Sequence, residues 1–473
     1  MATLRVTVSD RLRVEGDRPS AFEGALLAAF DHPNPDIAKA KRGGRYVGHL
    51  PKTIRTWALD GSTLVLPRGG TQRLREVAEQ HGVALRWRDD RLTLPSVDFP
   101  PLARTLFPFQ RQALDAILAR EQGIVRAPTG SGKTTMALAG IAEVKQPALV
   151  VMRDSRLLDQ WKRRAVAELG LSEREIGILR GGKRSIGKRL TLALQQTLNS
   201  ATFPLDEILD RFGSVWVDEA QTVAARTFEA PLNRFRARVR VGFSADETRA
   251  DRKEFLVYDT MGAVIHEVTL EEAEAAGVVV PVHVLVAGSD FAPPWYLAQG
   301  HGERDWNRLM SAVEGNPERN ALIVRIVEQL LREGRAPVLV FTERREHARA
   351  LADTALFQRG HRCGLLLGGD ADLTRFTEDR LRLELGKLDI AVGTFDAIGQ
   401  GIDLPRVRGG VIASPIGDNK QFFGQVRGRL ARAFHEKTEA WLVYVLDEEL
   451  FSRQRQRLKR WNRDDIAPFR HGG

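Results

Sequence analysis

The sequence has very little cysteine and no long apolar run. Cys363 is the one cysteine among 473 residues, which excludes an intramolecular disulfide and a cysteine-rich zinc site. Such cysteine usage is typical of a reducing compartment, so we expect a cytoplasmic protein, associated with the nucleoid if it is from a bacterium or a phage. No stretch reaches the ~18 apolar residues of a membrane span, and the N-terminus alternates like a strand, so neither a span nor a secretory leader is expected.

Basic residues, in contrast, exceed acidic ones. Lysine and arginine total 71 against 61 aspartates and glutamates, a formal net charge of +10, while 43% of the residues are hydrophobic. That hydrophobic content indicates a globular protein, and the length indicates two or three domains. The positive charge favours a polyanionic partner, most plausibly nucleic acid, although a basic globular protein with no such partner has the same composition.

Three blocks follow one another along the chain. Residues 1–100 hold short alternating segments between turns, which predicts a small α+β domain ending near Pro100-Pro101. In residues 101–285 and again in residues 286–473, apolar strands alternate with helical patterns, and this alternation predicts a parallel sheet with crossover helices. The expected fold class is therefore α/β, with two tandem parallel-sheet domains, a small N-terminal accessory domain and a basic C-terminal tail.

The chemistry of the first sheet is indicated by residues 127–134, which read Ala-Pro-Thr-Gly-Ser-Gly-Lys-Thr between a short strand and a helix. Glycines at 130 and 132 allow backbone N–H groups to turn toward phosphates. Lys133 would place a positive charge on the β- and γ-phosphates of ATP, and the Thr134 hydroxyl would bind Mg²⁺. The usual first glycine of this pattern is Ala127, so the strict motif is not met.

A buried strand, Val215–Val217, ends in two acidic residues further along the same block. Asp218 would hold the same metal through water, because Mg²⁺ keeps much of its hydration shell. Glu219 would orient and deprotonate the attacking water. Together with the glycine turn, this pair predicts an enzyme that binds Mg-ATP and hydrolyses it.

The second block has no phosphate loop but carries other motifs. Residues 392–405 place Thr394, Gly401 and Asp403 on a loop after a strand. Residues 425–432 open a helix with arginines three apart, hence on one face. In this order and spacing, the motifs resemble those of superfamily 2 helicases and translocases over residues 102–450. Residues 242–251, 266–282 and 319–342 resemble the XPB-like and phage UvsW-like DNA helicases in particular.

The resemblance implies two RecA-like domains that hold ATP between them, and it implies roles by position. The residues implied for catalysis are Lys133, Asp218, Glu219, Gln425, Arg429 and Arg432. Those implied for the nucleotide are Phe109, Gln110, Thr129, Gly130, Ser131, Gly132, Lys133, Thr134, Thr135, Gly401 and Asp403. Nucleic-acid contacts are implied for Arg153, Arg156, Gln196, Thr197, Arg344 and Thr394, and coupling of the two sites for Ser244, Ala245 and Asp246.

Some positions depart from the family pattern. Asp246 and Glu247 stand where the family has Thr and Pro, and two acids near the metal could weaken coupling. Gln221 replaces the His or Asp of the commonest subgroups, and its amide can still donate and accept hydrogen bonds. Phe107 stands where the suggested branch often has Arg.

A basic run in the N-terminal block offers a further nucleic-acid surface. Its six cations, with no acid between residues 37 and 59 and with Tyr46 and Trp57 interleaved, suit phosphate contacts and base stacking. A solvated surface around a core tryptophan is the alternative interpretation. The cations are Lys39, Lys41, Arg42, Arg45, Lys52 and Arg55.

These observations predict an ATP-dependent DNA helicase or translocase that acts on branched or damaged DNA, with its oligomeric state open and a monomer plausible. Three alternatives remain: an RNA helicase, a DNA-binding or annealing module whose motor is impaired by Asp246 and Glu247, and the motor subunit of a restriction or defence complex.

Overall fold

The computed structural model describes residues 2–42, 46–224, 230–245, 251–293, 303–368, 373–399, 404–450, 453–462 and 466–470. The chain forms two compact units, one of residues 1–128 and 132–272 and the other of residues 129–131 and 273–473. Five residues singled out in the sequence lie outside the described ranges, and their predictions therefore remain predictions: Arg45, Asp246, Glu247, Gly401 and Asp403.

The first unit begins with a small α+β block, in which the sheet order is β5-β6-β2-β1-β7. Alternate residues of β1 and β2 are buried, because one face of the sheet packs on helices and the other faces solvent. The strands are β1 Thr3–Val8, β2 Arg11–Glu15, β5 Ala58–Asp60, β6 Thr63–Pro67 and β7 Ala84–Asp89, with a separate hairpin of β3 Asp31–Pro33 and β4 Thr53–Arg55. The helices are α1 Ser20–Ala29, α2 Pro35–Arg42 and α3 Thr71–Gln80.

An eight-stranded sheet follows, in the order β11-β10-β12-β9-β13-β14-β8-β15. Its strand pairs are parallel except the hairpin of β10 and β11. The strands are β8 Gln122–Arg126, β9 Ala148–Met152, β10 Ile176–Arg180, β11 Lys183–Ser185, β12 Leu190–Leu194, β13 Ser214–Asp218, β14 Val239–Ser244 and β15 Val264–Glu267. The helices are α4 Pro108–Arg120, α5 Lys133–Val144, α6 Ser155–Leu169, α7 Gln195–Leu198, α8 Glu254–Met261 and α9 Leu270–Ala275.

Every residue of β9, β12, β13 and β14 is buried. Strands buried along their whole length are typical of a parallel sheet covered on both faces, because crossover helices lie on each side. These strands form the centre of the sheet, and their carboxyl ends meet at one edge, where polar side chains can be brought together.

A buried arginine joins the N-terminal block to the eight-stranded sheet within the first unit. The side chain of Arg68 is fully buried and donates to Gln122 Oε1 at 2.6 Å, Ala237 O at 2.7 Å, Arg238 O at 2.7 Å and Ser9 O at 3.3 Å. Burial, and then the nearby guanidinium groups of other arginines, hold the pKa of Arg68 well below its usual value. The guanidinium is thus held by neutral oxygens from both parts of the unit.

Helix α8 provides a second attachment for the same block. The buried carboxylate of Asp259 accepts from Arg73 Nη2 at 2.5 Å and lies 3.3 Å from His32 Nε2. The His32 ring stacks on Phe255 with centroids 4.1 Å apart. Gly69 lies so close to α8 that a Cβ there would come within 2.1 Å of the Tyr258 carbonyl oxygen. The N-terminal block is therefore packed on the sheet domain, as part of one compact unit.

The second unit is built on a seven-stranded sheet in the order β18-β19-β17-β20-β21-β16-β22, in which every pair is parallel. The strands are β16 Val282–Ser289, β17 Val338–Thr342, β18 Cys363–Leu366, β19 Ile390–Thr394, β20 Gly409–Ile412, β21 Ala440–Asp447 and β22 Ala467–Pro468. The helices are α10 Glu303–Gly315, α11 Pro317–Arg332, α12 Arg345–Arg349, α13 Leu373–Glu384, α14 Phe395–Gly399, α15 Lys420–Leu430 and α16 Gln454–Trp461, with a π-helical stretch at Ala350–Leu356.

The predicted fold class is confirmed: two parallel α/β sheets follow a small α+β block. The boundary expected between residues 285 and 286 falls inside β16, whose eight residues pair with β21. Val282, Val284 and Val286 are buried on one face, and this pattern runs across the expected boundary without a break. The division between the compact units lies earlier, after Glu272.

Cys363 begins β18 and is half-buried. Burial, together with the negative charges of Asp353 and Asp379, raises the pKa of its thiol to about 12. Because the thiolate is the reactive form of cysteine, this thiol has little reactivity at neutral pH. Among the described residues, no helix is both long and apolar enough to cross a membrane.

Candidate active site

The turn between β8 and α5 has the backbone of a phosphate cradle. Gly130 and Gly132 have φ angles of 97° and 88°, in the left-handed region that residues with a Cβ rarely adopt. A Cβ on Gly132 would also lie 2.6 Å from Gln110 Nε2. The amino group of Lys133 donates to the Ala127 carbonyl at 3.2 Å, and α5 starts at this lysine. Unpaired N–H groups at a helix N-terminus and a lysine on the same turn suit a polyphosphate.

The hydroxyl groups of this turn differ in their accessibility. Thr129 and Thr134 are half-buried, so their side chains are open to a ligand, while Ser131 is buried. The buried Thr135 hydroxyl accepts from Arg164 Nη2, which also pairs with Glu168 at 2.6 Å. Thr135 thereby fixes α5 against α6, and Thr134 has the exposure that its predicted role at the metal requires.

The segment expected to contact adenine forms the start of α4. Gln110 is buried, and its Oε1 accepts from the Phe107 backbone N–H at 3.1 Å, which caps the helix. Phe109 is only 4% exposed and belongs to the core. Phe107 is 37% exposed, and its ring lies parallel to that of Phe109 with centroids 6.0 Å apart. The aromatic face available to a base is therefore that of Phe107.

Both acidic residues lie at the carboxyl end of β13. Asp218 is buried, with Oδ2 accepting from Trp161 Nε1 at 2.7 Å and Oδ1 from the Glu219 N–H at 3.0 Å. Burial and the adjacent negative charge of Glu219 raise the pKa of Asp218, while the Trp161 N–H and the positive charge of Lys133 oppose the rise. A cation at this carboxylate would relieve its desolvation.

Glu219 has a φ of 55°, which is uncommon for a residue with a side chain. Such strained positions occur at helix ends and turns and also cluster at active sites. Its carboxylate accepts from the Gln221 amide, whose Oε1 accepts from the Ser244 hydroxyl at 2.7 Å. The Ser244 carbonyl in turn accepts from the Ala127 N–H at 2.9 Å. A continuous set of hydrogen bonds therefore joins the acidic pair, the predicted coupling segment and the glycine turn, and Ala245 follows at its half-buried end.

The residues of this edge fit Mg²⁺. Among the described residues, no group of three or more histidines, cysteines and acids forms a metal cluster. Mg²⁺ is usually bound by one or two carboxylates together with water and phosphate oxygens, so a dedicated cage is not required. The Thr134 hydroxyl and the Asp218 carboxylate are oxygen ligands of the kind that this ion prefers.

In the second unit, helix α15 carries the predicted arginine face. Asn419 caps its start by accepting from the Phe422 N–H at 3.0 Å. Gln425 and Arg429 are half-buried at i and i+4, and Arg432 follows just after the helix end. The spacing of Gln425 and Arg429 places these two on one side of the helix.

A lysine holds the end of this helix in place. Lys437 Nζ donates to the carbonyls of Leu430 at 2.5 Å and Pro405 at 3.3 Å. Burial, then the positive charges of Arg408 and Arg432, lower the pKa of Lys437 to about 7. The Ala431 carbonyl also accepts from the Val280 N–H at 2.5 Å. The C-terminal end of α15, which lies between Arg429 and Arg432 in the sequence, is therefore held in place by these hydrogen bonds.

The predicted nucleic-acid residues of the first unit fall into two groups. Arg153 and Gln196 are exposed, and Arg156 is half-buried with its Nε 3.5 Å from Asp154 Oδ1. Thr197 is only 6% exposed, and its hydroxyl accepts from the Gly181 N–H at 3.1 Å. Arg153 and Gln196 are accessible to the sugar-phosphate backbone of a nucleic acid, whereas the Thr197 hydroxyl is used in a hydrogen bond within the protein.

The predicted nucleic-acid residues of the second unit are more enclosed than those of the first. Arg344 is half-buried and lies against α10, with Nη2 donating to the Asn307 carbonyl at 2.8 Å and Nη1 to Ser311 Oγ. Its Nε also lies 3.6 Å from Glu314 Oε2. Thr394 is 8% exposed at the end of β19. For Arg344 or Thr394 to contact a nucleic-acid strand, the residues packed around these side chains would have to move.

The N-terminal basic run has an exposed side. Lys41, Lys52 and Arg55 are exposed, and the Tyr46 ring is 80% exposed. Trp57 is half-buried and its indole N–H donates to Asp31 Oδ1 at 2.9 Å, so it packs on the core of the block. Tyr46 is the ring of this run that a base could stack on.

The sequence did not point to Trp161, although its side chain contacts Asp218 directly. The two residues are 57 positions apart, and no local pattern marks a buried tryptophan on an amphipathic helix as a partner of a carboxylate. The available signal was its polar N–H, since a buried indole usually finds an acceptor.

Known proteins with a similar sequence or fold include helicases. The family described as "Type III restriction enzyme, res subunit" matches residues 104–248. The DNA 3'-5' helicase XPB of Mycobacterium tuberculosis is 26% identical over 289 residues, covering 56% of this chain and 52% of the relative. The putative DNA 3'-5' helicase Rad25 of Halobacterium salinarum is 27% identical over 386 residues, covering 78% and 60%. The chain thus spans about half to three fifths of the length of these relatives.

The fold is shared with a solved helicase structure. Dbp5 of S. cerevisiae, bound to RNA and ADP BeF3, aligns over 78% of this chain and 90% of its own, with a TM-score of 0.53 and 14% identity. The two parallel sheets are therefore RecA-like domains. In motif order, fold and sequence, the chain is thus similar to superfamily 2 helicases and translocases, and XPB- and Rad25-type proteins are among the relatives that it matches.

Proposed function

We propose that the chain is an ATP-dependent DNA helicase or translocase that remodels branched or damaged DNA. The observation that carries this proposal is the set of hydrogen bonds from Glu219 through Gln221 to Ser244. It joins a candidate general base to the segment that would couple hydrolysis to nucleic-acid movement. The relatives named DNA helicases support DNA as the partner.

In the proposed reaction, water attacks the γ-phosphate of ATP in line with the leaving group. Glu219, held by the Gln221 amide, orients this water and accepts its proton. Lys133 and the N-terminal N–H groups of α5 balance the negative charge of the β- and γ-phosphates. Mg²⁺, when bound, neutralises phosphate charge, and Thr134 and Asp218 would hold it.

We assign the later motifs to completion of this site. Arg429 and Arg432 would stabilise charge that develops on the γ-phosphate, and Gln425 would orient the phosphate or the water. Hydrolysis would then depend on conformation, because these groups belong to the second unit and Lys133 to the first. Gly401 and Asp403 stay predictions for the ribose or for an inter-domain contact.

The nucleic acid would be held mainly by its backbone. Arg153 and Gln196 in the first unit can donate to phosphates, which positions a nucleic-acid strand without reading its sequence. Arg344 in the second unit would do so after giving up its hydrogen bonds to Asn307 and Ser311. The N-terminal block would add phosphate contacts from its exposed lysines and stacking on Tyr46. The positive net charge of the chain supports this assignment.

ATPase and strand-displacement assays test the proposal with forks, four-way junctions, single strands, duplex DNA and RNA. Lys133→Ala is the control, because it removes the positive charge that would contact the phosphates from a half-buried side chain. We expect DNA to stimulate wild-type hydrolysis at least tenfold and the variant to hydrolyse at background. Equal slow turnover by both proteins refutes the motor and favours an annealing module. Stimulation by RNA alone favours an RNA helicase, and activity that appears only with a partner protein favours a restriction or defence subunit.

A further inference from the structure

Trp161 holds one oxygen of the candidate metal-binding carboxylate. Its indole Nε1 donates to Asp218 Oδ2 at 2.7 Å, while the other oxygen, Oδ1, accepts from the Glu219 N–H at 3.0 Å. Each carboxylate oxygen therefore accepts a hydrogen bond from the protein. Two donors on opposite oxygens fix the plane of a carboxylate, because rotation about its Cβ–Cγ bond would break both hydrogen bonds.

The indole itself cannot move independently of its helix. Trp161 is 2% exposed, and Leu158, Ala165 and Leu169 on the same face of α6 are also buried. These spacings of three and four residues form one apolar stripe against the sheet. A change in the position of α6 would therefore be transmitted to the indole N–H, and from it to Asp218.

The start of the same helix carries a candidate nucleic-acid contact. Helix α6 begins at Ser155, two residues after the exposed Arg153, and Asp154 caps it by accepting from the Arg156 N–H at 2.6 Å. Trp161 lies roughly 9 Å along the helix axis from Ser155, less than two turns away. A rigid, capped helix thus connects the solvent-exposed segment to the carboxylate.

We propose that Trp161 is a positioning residue: it orients Asp218 for Mg²⁺ and makes that orientation depend on the position of α6. The inference rests on the proposed ATPase function. It adds a route by which a nucleic-acid strand bound at Arg153 would affect metal binding at Asp218. Hydrogen-bond partners of metal ligands commonly contribute ~10–100-fold to metal affinity or activity. The indole N–H would have this role at Asp218.

The chain provides a matched control in Trp216. This tryptophan is fully buried on β13, two residues before Asp218, and its indole N–H donates to Ser214 Oγ at 3.0 Å. Trp216→Phe therefore removes a buried indole N–H from the same core without touching the carboxylate. Trp161→Phe makes the identical chemical change at the position that does touch it.

The first test measures nucleotide binding rather than turnover. Isothermal titration gives the affinity of the full chain for ADP at a series of Mg²⁺ concentrations and in EDTA. For Trp161→Phe we expect the Mg²⁺ concentration of half-maximal effect to rise about tenfold, with Mg²⁺-free ADP binding unchanged. Trp216→Phe is expected to change neither quantity. Equal Mg²⁺ dependence in the two variants overturns the inference, as does a wild-type chain that binds no Mg-ADP.

A second variant separates the hydrogen bond from packing. Benzothienylalanine at position 161 replaces the N–H of the indole by sulfur and keeps the size of the ring system. It should reproduce the Mg²⁺ shift even if Trp161→Phe proves unstable. A normal Mg²⁺ dependence with this side chain would refute a role for the N–H.

The third test addresses the connection through α6. DNA-stimulated and unstimulated ATPase rates of both variants give a stimulation ratio, and we expect Trp161→Phe to lower this ratio about tenfold with little change in KM for DNA. The two proposals fail in different ways. If the wild type shows no DNA-stimulated hydrolysis, the proposed function fails. If it is stimulated and Trp161→Phe matches it, only the positioning role fails.

Discussion

Replacing Arg68 by methionine tests how the N-terminal block is attached to the eight-stranded sheet. The change removes a fully buried guanidinium and its hydrogen bonds to four oxygens, three of which lie at 2.6 to 2.7 Å in the native protein. One of the four, the Arg238 carbonyl, keeps a second donor in Arg91 Nη1 at 3.3 Å. A buried acceptor left without a donor costs about 1–3 kcal/mol. Burial of the guanidinium itself opposes this loss, as the lowered pKa of Arg68 indicates. We therefore expect a net loss of about 3–5 kcal/mol in the free energy of unfolding of the first unit.

For a unit of this size, such a loss corresponds to a fall in melting temperature of roughly 10 °C. Calorimetry of the full chain, with ADP added to identify the transition of the unit that contains Lys133, measures it directly. Arg75→Met is the control, because Arg75 is exposed on α3 and lies over the Trp87 ring at 4.8 Å. We expect that change to cost less than about 1 kcal/mol.

An unchanged or raised melting temperature for Arg68→Met would refute the reasoning. It would mean that desolvation of the guanidinium cancels its four hydrogen bonds, as happens when some buried charges are replaced by apolar groups of similar volume. The N-terminal block would then be held mainly by the α8 contacts around Asp259. A double change at Arg68 and Arg73 would show whether the two attachments act independently.

Two other predictions concern the nucleotide and the second unit. Phe107→Ala should weaken ADP binding about tenfold at an unchanged melting temperature, since its ring is exposed. Phe109→Ala should instead cost about 3–5 kcal/mol of stability, because it leaves a cavity in the core. Titration measures the ADP affinity and calorimetry the stability, and equal ADP affinities in both variants would contradict the assignment of Phe107 to the base. Burial lowers the pKa of His347 below its usual 6.5, although Glu314 opposes the shift. The unfolded chain therefore takes up this proton first, so stability present above pH ~6.5 is lost as the pH falls below it. Urea unfolding should show a shallower decline for His347→Gln between pH 7 and 5, and an unchanged slope would argue against His347 as the cause.

Local patterns predicted much of the sheet and of the site. The buried strand expected at Val215–Val217 falls inside β13, because three consecutive apolar residues before a polar pair are typical of a strand in a covered sheet. The glycine turn and the acidic pair were equally evident, since phosphate binding requires left-handed glycines and metal binding requires oxygen ligands. Both features are encoded within a few consecutive residues.

Contacts between distant parts of the chain were not predictable in the same way. The bond from Arg68 to Ala237 spans 169 residues, and that from Trp161 to Asp218 spans 57. The expected domain boundary fell inside β16. The sequence of this strand does not show which sheet it joins, because that depends on its pairing with β21, far along the chain. The residues that support the site, as opposed to those that perform its chemistry, therefore became evident only from the fold.

The unreactive thiol of Cys363 has a practical consequence for the study of motion. Because its pKa is raised to about 12, maleimide dyes at neutral pH should react preferentially with cysteines introduced at exposed positions. One dye on each compact unit would allow energy transfer to report their separation in single molecules as ATP is added and consumed. The native sequence would need no other alteration for such labelling.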